Sequence, residues 1–258
     1  MAKRSKEKSL YPSTLIHFTK KYSTLLKILD SSHFKVSHST EDIHGMDIRS
    51  RKFAIPMVSF CDIRLSHLTE HTNKYGSFGL GLKKSWGIEK GLNPVFYVSK
   101  NCPMVDYLNN TLREFKESYL FDPINNQDHS THKMQYNAFI NPLRYMKNYE
   151  GTLKRKNRRP IPDYRYANEN EWRYVPDIQS NVIPIRLEEN KKKGDEELKI
   201  HCEAILPFSH DDIRYIFVKD ESHLNRLVRT INRKYDDEKI RNILISKIFV
   251  TSNIFDDL

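Results

Sequence analysis

The sequence predicts a mixed α+β fold whose sheet is mostly antiparallel. Short extended runs occupy the first and last thirds of the chain, and they are too numerous for a helical bundle. The glycine-marked crossovers of a doubly wound parallel sheet are lacking. Between the two sets of extended runs, apolar residues recur three or four positions apart, which is typical of an amphipathic helix.

The first third of the chain alternates strand and helix patterns. Apolar residues at helical spacing in YSTLLKILDSS predict a helix that follows the first strand. A shorter helix, RLSHLTEHTNKYG, ends at Gly76, because glycine readily adopts the left-handed conformation after a last helical turn. The predicted strands in this part are TLIHFT (14–19), FAIPMVSFCDI (53–63), SFGLGL and NPVFYVS (93–99).

The middle of the chain has a different character. Apolar residues at helical spacing predict a helix over 103–121, and HKMQYNAFINPLRYMKNY predicts a second one that Pro142 kinks or interrupts. The basic segment KRKNRRPIPD is predicted to be a loop. We therefore expect a single domain over 1–258, with a helical insertion at about 100–165.

The last third returns to strands. A helix is predicted around 221–234, where apolar residues recur at helical spacing. The predicted strands are ENEWRYVP (169–176), HCEAILPF (201–208), DIRYIFVK (212–219) and SKIFVTS (246–252).

The charge of the chain points to an anionic partner. The formal net charge is +10, from 43 Lys and Arg against 33 Asp and Glu, and the excess is clustered. Such clusters attract phosphates through a long-range field, although a single cluster is more often a solvated loop. The clusters are Lys3, Arg4, Lys6 and Lys8; Lys154, Arg155, Lys156, Arg158 and Arg159; and Lys191, Lys192 and Lys193. The second cluster is the candidate nucleic-acid-binding segment.

Several classes of protein are disfavoured. No window holds the roughly 18 apolar residues that a membrane span needs, and the first residues lack a secretory apolar region, so we expect no membrane association and a cytoplasmic location. The pair His67 and His71 lacks the glutamate of a zinc-protease motif, and we expect no metal. No phosphate-binding loop of the GxxxxGK[ST] type occurs. The three cysteines are odd in number and widely spaced, which predicts reduced thiols.

Three polar segments suit a sugar-nucleotide site. In the first strand, His17 and Thr19 occupy alternate positions and therefore share a face. Tyr75 supplies an aromatic hydroxyl beside small residues that let a ligand approach the backbone. In NENEWRY, Glu169 and Glu171 share one face of a regular strand and are predicted to face a cleft, while Trp172 packs on the other side. The simpler explanation is a structural histidine, an aromatic packed at a turn and an ion pair with Arg173 at the surface.

These segments together resemble the AbiGi family of abortive phage-infection proteins. The resemblance runs over HFT, IPMVSFCDI, YGSFGLGLKKSWG, GLNPVFYV, NENEWR, DIRYIFV and SKIFVTSNIFDD. Members are described as components of two-gene phage-defence modules, usually as the antitoxin partner of a nucleotidyltransferase toxin. The resemblance therefore implies an anti-phage defence protein whose partner is a cognate toxin, an antitoxin or a phage protein.

The order of histidine, tyrosine and glutamate on three separate strands also resembles the ADP-ribosyltransferase fold. The resemblance implies that His17 holds the ribose of NAD, that Tyr75 stacks on nicotinamide and that Glu171 stabilises the ribosyl cation. Glu169 would then orient the acceptor. A fixed carboxylate would stabilise that cation more than the ground state, which is what catalysis requires.

Three functional hypotheses follow. The first is an effector that transfers ADP-ribose from NAD to a nucleic acid or a protein. The second is a non-enzymatic antitoxin or phage-sensing binding module with the same fold. The third is a basic regulator that binds nucleic acid, although the sequence contains no motif that reads bases.

Overall fold

A computed structural model describes residues 12–43, 51–121, 138, 141–155, 158–176 and 203–255. The chain divides into two compact units. Unit 1 comprises Met1–Phe34, Ser59–Leu92 and Leu206–Leu258. Unit 2 comprises Lys35–Val58 and Asn93–Ile205. The prediction of a single domain stays a prediction.

Among the residues that the structure describes, most of the helices lie in unit 1. Its helices are α1 (Tyr22–Ser31), α2 (Leu68–Tyr75), α3 (Lys84–Glu89), α5 (Leu224–Lys234), α6 (Glu238–Ile245) and α7 (Thr251–Phe255). Unit 2 contains α4 (Met104–Phe121).

The strands are short, and most of their pairings are antiparallel. In the first half of the chain they are β1 (Thr14–Thr19), β2 (His33–Lys35), β3 (Ser37–Ile43), β4 (Arg51–Cys61), β5 (Phe78–Lys83), β6 (Asn93–Pro94) and β7 (Phe96–Val98). In the second half they are β8 (Met146–Asn148), β9 (Glu150–Arg155), β10 (Arg158–Arg165), β11 (Glu171–Tyr174), β12 (Ile205–Pro207), β13 (Ile213–Val218) and β14 (Ile248–Val250).

Unit 1 contains the strand order β14-β13-β5-β1. Strand β5 lies between β1 and β13, and its glycines leave room for atoms of both neighbouring strands. A Cβ on Gly79 would lie 2.9 Å from the carbonyl oxygen of His17 on β1. Helix α1 buries Leu25, Leu26, Ile28 and Leu29, which are the apolar residues whose spacing predicted it.

Unit 2 contains strand pairs on which the candidate site is built. Strand β3 runs antiparallel to β4 from Ser37, opposite Met57, to Ile43, opposite Arg51. Strands β7 and β8 are parallel, and β11 is antiparallel to β6. The apolar core of this unit includes Ile43, Ile55, Met57, Val98, Val105, Leu143 and Met146.

The predicted fold class is confirmed at the level of a mixed α+β chain with mostly antiparallel strands. Its finer type, resembling the ADP-ribosyltransferases, stays a prediction. Helix α4 matches the helix predicted at 103–121. The prediction that the insertion is helical to about residue 165 is wrong where β8, β9 and β10 lie, at Met146–Asn148, Glu150–Arg155 and Arg158–Arg165.

The predicted basic loop is also wrong in its secondary structure. The segments that carry it belong to the antiparallel pair β9 and β10, in which Arg158 is opposite Arg155 and Ile161 is opposite Leu153. The strands are supported by apolar residues: Leu153 is opposite Ile161, and Tyr164 is buried. The prediction of a loop rests on the charges and prolines of the segment, which do not reveal these contacts.

Candidate functional site

Strand β11 has the opposite orientation to the one that its sequence suggested. Glu171 and Arg173 are buried, whereas Trp172 and Tyr174 are half-buried. The alternation of side chains along the strand is as predicted, but the charged face is the inner one. The simpler explanation, an ion pair at the surface, is wrong in its position, because the pair of Glu171 and Arg173 is buried. The charges of β11 therefore require partners inside the protein.

Arg173 is completely buried, and each of its five N–H donors has an acceptor. Its Nε donates to Oε1 of Glu171 at 2.7 Å. One Nη2 hydrogen is directed to Oε1 of Glu41 at 2.6 Å, and the other is directed to Oε2 of Glu171 at 3.3 Å. Nη1 donates to the carbonyl oxygens of Arg144 and Met146 at 2.9 and 3.2 Å. The guanidinium group thereby connects β11 to β3 and to the start of β8.

Lys147 is the second cation of the cluster, and its side chain is 14% exposed. Its Nζ lies 2.8 Å from Oε2 of Glu169 and 2.7 Å from Oε2 of Glu171. The same ammonium group lies 5.2 Å from the centroid of the Tyr166 ring, within the range of a cation–π interaction. One lysine of β8 therefore pairs with both glutamates of the NENEWRY segment.

The backbone at Asn170 explains how the two glutamates reach the same lysine. Glu169 ends a short 3-10 turn rather than lying on the strand, and Asn170 has a φ of 43°, in the left-handed region. Asparagine tolerates this conformation better than most residues do. The predicted strand at 169–176 is thus shortened to 171–174, and the convergence of Glu169 and Glu171 results from the turn and not from a regular strand.

We name the group of Glu41, Lys147, Glu169, Glu171 and Arg173 the ion cluster. All five residues lie in unit 2. With every group ionised, three carboxylates face two cations, so the cluster carries one excess negative charge. A buried charge excess of this kind is costly and shifts the protonation of the most weakly paired group.

The pKa values of the cluster separate two kinds of carboxyl group. Burial alone would raise the pKa of Glu171, but the charges of Lys147 and Arg173 lower it to about 2. For Glu41, burial is the larger effect and raises its pKa, although Arg173 and Lys147 oppose this. Burial would lower the pKa of Lys147, but Glu171 and Glu169 raise it above its ordinary value. Glu171 therefore stays ionised, and Glu41 accepts a proton more readily than Glu171 does.

Tyr97 fixes the backbone beside the cluster. Its hydroxyl oxygen accepts a hydrogen bond from the backbone N–H of Glu171 at 2.8 Å. Burial raises the pKa of Tyr97, so the phenol keeps its proton. Strand β7 thereby holds the start of β11 through a side chain.

His17 and Thr19, two of the three other predicted ligand-binding residues, are found on β1 in unit 1. The ring of His17 packs against Phe34 and Phe60, with centroid distances of 5.0 and 5.6 Å, and its Nδ1 is 2.9 Å from the carbonyl oxygen of Ser59. Burial lowers the pKa of His17. The neutral ring donates from Nδ1, because a carbonyl oxygen can only accept, and this leaves Nε2 as an acceptor. Thr19 ends the strand, and its Oγ1 accepts from the backbone N–H of Lys21 at 3.4 Å.

The resemblance to the transferases requires Tyr75 to lie on a strand. In the structure, Tyr75 is instead the last residue of α2 in unit 1. Its ring centroid lies 6.1 Å from that of His71. Tyr75 lies on a helix because α2 continues up to Gly76. The φ of 116° at Gly76 ends that helix before β5 begins. The structure brings Glu169 and Glu171 together; the convergence of His17, Tyr75 and Glu171 on one cleft stays a prediction.

The predicted nucleic-acid-binding segment lies on the β9–β10 pair. Lys154 and Arg155 belong to β9, Arg158 and Arg159 belong to β10, and Arg159 is exposed. Lys156 lies outside the described residues. The role of this segment stays a prediction.

Lys147, Glu41 and Tyr97 were not found from the sequence. Their signal is weak because each is a single residue in another segment, and nothing in the local pattern links them to NENEWRY. Arg173 carried a usable signal, since arginine two residues after glutamate on a strand shares its face. Within the described parts of the chain, no group of three His, Cys, Asp or Glu side chains could hold a metal ion. Among those same residues, no helix is long and apolar enough to cross a membrane.

The fold and the ion cluster define a mixed α+β protein in which a buried network of charges joins separate strands. Comparison with known proteins identifies its family. A family model described as "Putative abortive phage resistance protein AbiGi, antitoxin" matches residues 27–219. The "Abortive phage resistance protein AbiGi" of Lactococcus lactis subsp. cremoris is 30% identical over 232 residues, which cover 80% of this chain and 90% of that protein. The chain therefore belongs to the AbiGi family, as its sequence motifs predicted. No solved structure matches it.

Proposed function

We propose that this chain acts in abortive phage resistance as an antitoxin, a binding module that neutralises a protein toxin, and not as an ADP-ribosyltransferase. The observation that carries the proposal is the state of Glu171. Its Oε1 accepts from Arg173, its Oε2 accepts from Lys147, and its side chain is 7% exposed. A carboxylate held in this way contributes to internal structure.

A transferase would need a different environment at this residue. The catalytic carboxylate must reach the ribose of NAD and have an oxygen available when positive charge develops there. Here both oxygens are already bonded to cations of the same unit, and freeing one of them would leave Lys147 or Arg173 buried with fewer partners. The loss of such a buried partner is costly. This cost argues against the assignment of Glu171 and Glu169 as catalytic residues.

The family description supports the binding role, because it labels the matching family an antitoxin. Unit 2 also exposes large apolar side chains of the kind that anchor protein interfaces, and these include Phe96 at 56% and Tyr107 at 68% exposure. They are the first residues to test as contacts with a toxin.

The proposal is tested by expressing the full chain in bacteria alone and together with the product of the neighbouring gene. We expect the chain alone to leave growth unchanged and to restore growth when the neighbouring product inhibits it. Phe96→Ala and Tyr107→Ala should weaken this rescue, while Ile243→Ala, an exposed apolar residue of unit 1, serves as the matched control. Growth inhibition by the chain alone would contradict the proposal.

A direct assay separates the two activities without relying on variants. The purified chain is incubated with NAD, and released nicotinamide is measured. We expect no release above that of a heat-denatured sample. Release by the native chain would overturn the antitoxin proposal in favour of ADP-ribosyl transfer, and Glu171→Gln, checked for folding by thermal unfolding, would then test the catalytic role.

A further inference from the structure

Helices α1 and α5 of unit 1 lie side by side and in the same direction. At their starts, the hydroxyl of Tyr22 donates to the carbonyl oxygen of His223 at 2.6 Å, and the two rings are 4.7 Å apart. At their ends, Nζ of Lys234 donates to the carbonyl oxygens of Leu29 and Asp30 at 2.5 and 2.6 Å. These contacts join residues that are about 200 positions apart in the sequence. The exposed faces of the two helices therefore lie next to each other.

Helix α5 is strongly amphipathic. Leu227 and Ile231 are buried, whereas Arg226, Arg229 and Arg233 are exposed. At 3.6 residues per turn, the three arginines lie within about 60° of arc, and the first and last are about 10 Å apart along the helix axis. They therefore form one row on the outer side of the helix.

The neighbouring charges make this row more positive. Lys20 and Lys21 are exposed and directly precede Tyr22 at the start of α1. Burial raises the pKa of Tyr22, and the charges of Arg226 and Arg229 oppose this, which places both guanidinium groups near the phenol. We name Lys20, Lys21, Arg226, Arg229 and Arg233 the basic face.

Few carboxylates neutralise the basic face. The two helices and the two lysines before α1 contain one acidic residue, Asp30, which pairs with Arg233 at 2.8 Å in an exposed position. The turn before α5 adds the exposed Glu221 and the half-buried Asp220, and Asp220 is already bonded to Ser222 and His223. The seven cations of this region are Lys20, Lys21, Lys27, Arg226, Arg229, Arg233 and Lys234.

We propose that the basic face of unit 1 binds the phosphate backbone of a nucleic acid, without reading its sequence. The arginines are spaced along about 10 Å of one row, and a nucleic-acid backbone repeats its negative charge every few ångströms, so several arginines can contact successive phosphates. Guanidinium groups also bind phosphate in a bidentate manner. A protein partner is less suited, because stable protein interfaces have an apolar core. Among the described residues, the exposed large apolar side chains of unit 1 are Ile88 and Ile243, which lie on α3 and α6.

The test compares two double variants that remove the same charge. Arg226→Gln with Arg229→Gln removes two cations of the basic face. Lys90→Gln with Arg214→Gln removes two other exposed cations of unit 1. Binding of each full chain to a short, fluorescently labelled single-stranded DNA is measured by anisotropy over a series of salt concentrations, and folding is checked by thermal unfolding.

We expect the first variant to lose about tenfold or more in affinity at low salt, and the slope of log K against log salt to become shallower by about 1.4, since each backbone contact contributes about 0.7 for a single strand. The control should stay close to the wild type. Lys20→Gln with Lys21→Gln is an independent variant and should behave like the first. Absence of binding by the wild type at low salt, or an equal loss in the control, would overturn the proposal.

Discussion

Lys147 of β8 and Glu171 of β11 form an ion pair that is largely shielded from solvent, with 2.7 Å between Nζ and Oε2. The lysine also holds Glu169, and Arg173 holds the other oxygen of Glu171. Every member of the ion cluster therefore depends on a residue from another segment. Burying charge is itself costly, so we expect the ion cluster to contribute more to how the strands pair than to net stability.

Removal of Lys147 is expected to destabilise the protein strongly. Lys147→Met leaves Glu169 and Glu171 buried beside each other without their common cation. The free energy of unfolding should fall by about 3 to 5 kcal/mol, the usual cost of removing one partner of a buried pair. Denaturant titration followed by circular dichroism measures it. Arg233→Gln, which breaks the exposed pair with Asp30, is the control and should cost less than about 1 kcal/mol. Similar losses for both variants would show that the ion cluster is not a structural element.

The ion cluster also predicts how stability depends on pH. Glu171 has a folded-state pKa of about 2, against an ordinary value of 4.5. A lowered carboxyl pKa contributes stability that is present above pH 4.5 and is lost as the pH falls towards 2. The contribution is on the order of 3 kcal/mol. Denaturant unfolding at several pH values should therefore show a steeper loss between pH 4.5 and 2 in the wild type than in Glu171→Gln. Parallel curves would contradict the assigned pKa.

Glu41 and Glu171 should respond differently to the same substitution. Burial raises the pKa of Glu41, so its contribution to stability falls as the pH rises, and a neutral amide removes that penalty. The Gln oxygen can still accept from Arg173 as Oε1 of Glu41 does. At pH 7, Glu41→Gln should change the free energy of unfolding by less than about 1 kcal/mol, whereas Glu171→Gln should cost several times more. The reverse order in chemical denaturation would be inconsistent with this account.

Two glycines with positive φ allow the cost of backbone strain to be measured separately from the cost of a steric collision. At Gly76 (φ 116°), an added Cβ would lie 2.3 Å from the carbonyl oxygen of Thr19, while at Gly91 (φ 76°) nothing lies within 4 Å. Gly91→Ala should cost about 1 to 2 kcal/mol from backbone strain alone. Gly76→Ala adds a backbone collision and should lower the melting temperature further. Equal melting temperatures would mean that Thr19 and α2 move apart freely.

The role of the basic segment on β9 and β10 as a phosphate-binding surface stays a prediction. Replacement of Lys154, Arg155, Lys156, Arg158 and Arg159 by Gln should weaken binding to nucleic acid, with the larger loss at low salt because salt already screens exposed charges. Replacement of Lys191, Lys192 and Lys193 removes another basic cluster and is the control. Filter binding at two salt concentrations measures the effect. Unaltered binding at both would identify the segment as a structural hairpin only.

The sequence by itself determined the mixed α+β class, the family and the helices with a clear apolar period. Leu25, Leu26, Ile28 and Leu29 predicted α1 because a helix that buries one face needs apolar residues at that spacing. It also determined that the side chains of β11 alternate. Local patterns of this kind depend only on neighbouring residues, which is why they can be recognised in a single chain.

Only the tertiary structure decided which face of β11 is buried. Period-two alternation defines two faces but does not say which of them lies inside. That choice depends on Lys147, which is 24 positions from Glu171, and on Glu41, which is 132 positions from Arg173. Charged side chains can lie inside a protein only where opposite charges and hydrogen-bond partners meet them, and those partners come from strands that the sequence does not link to β11.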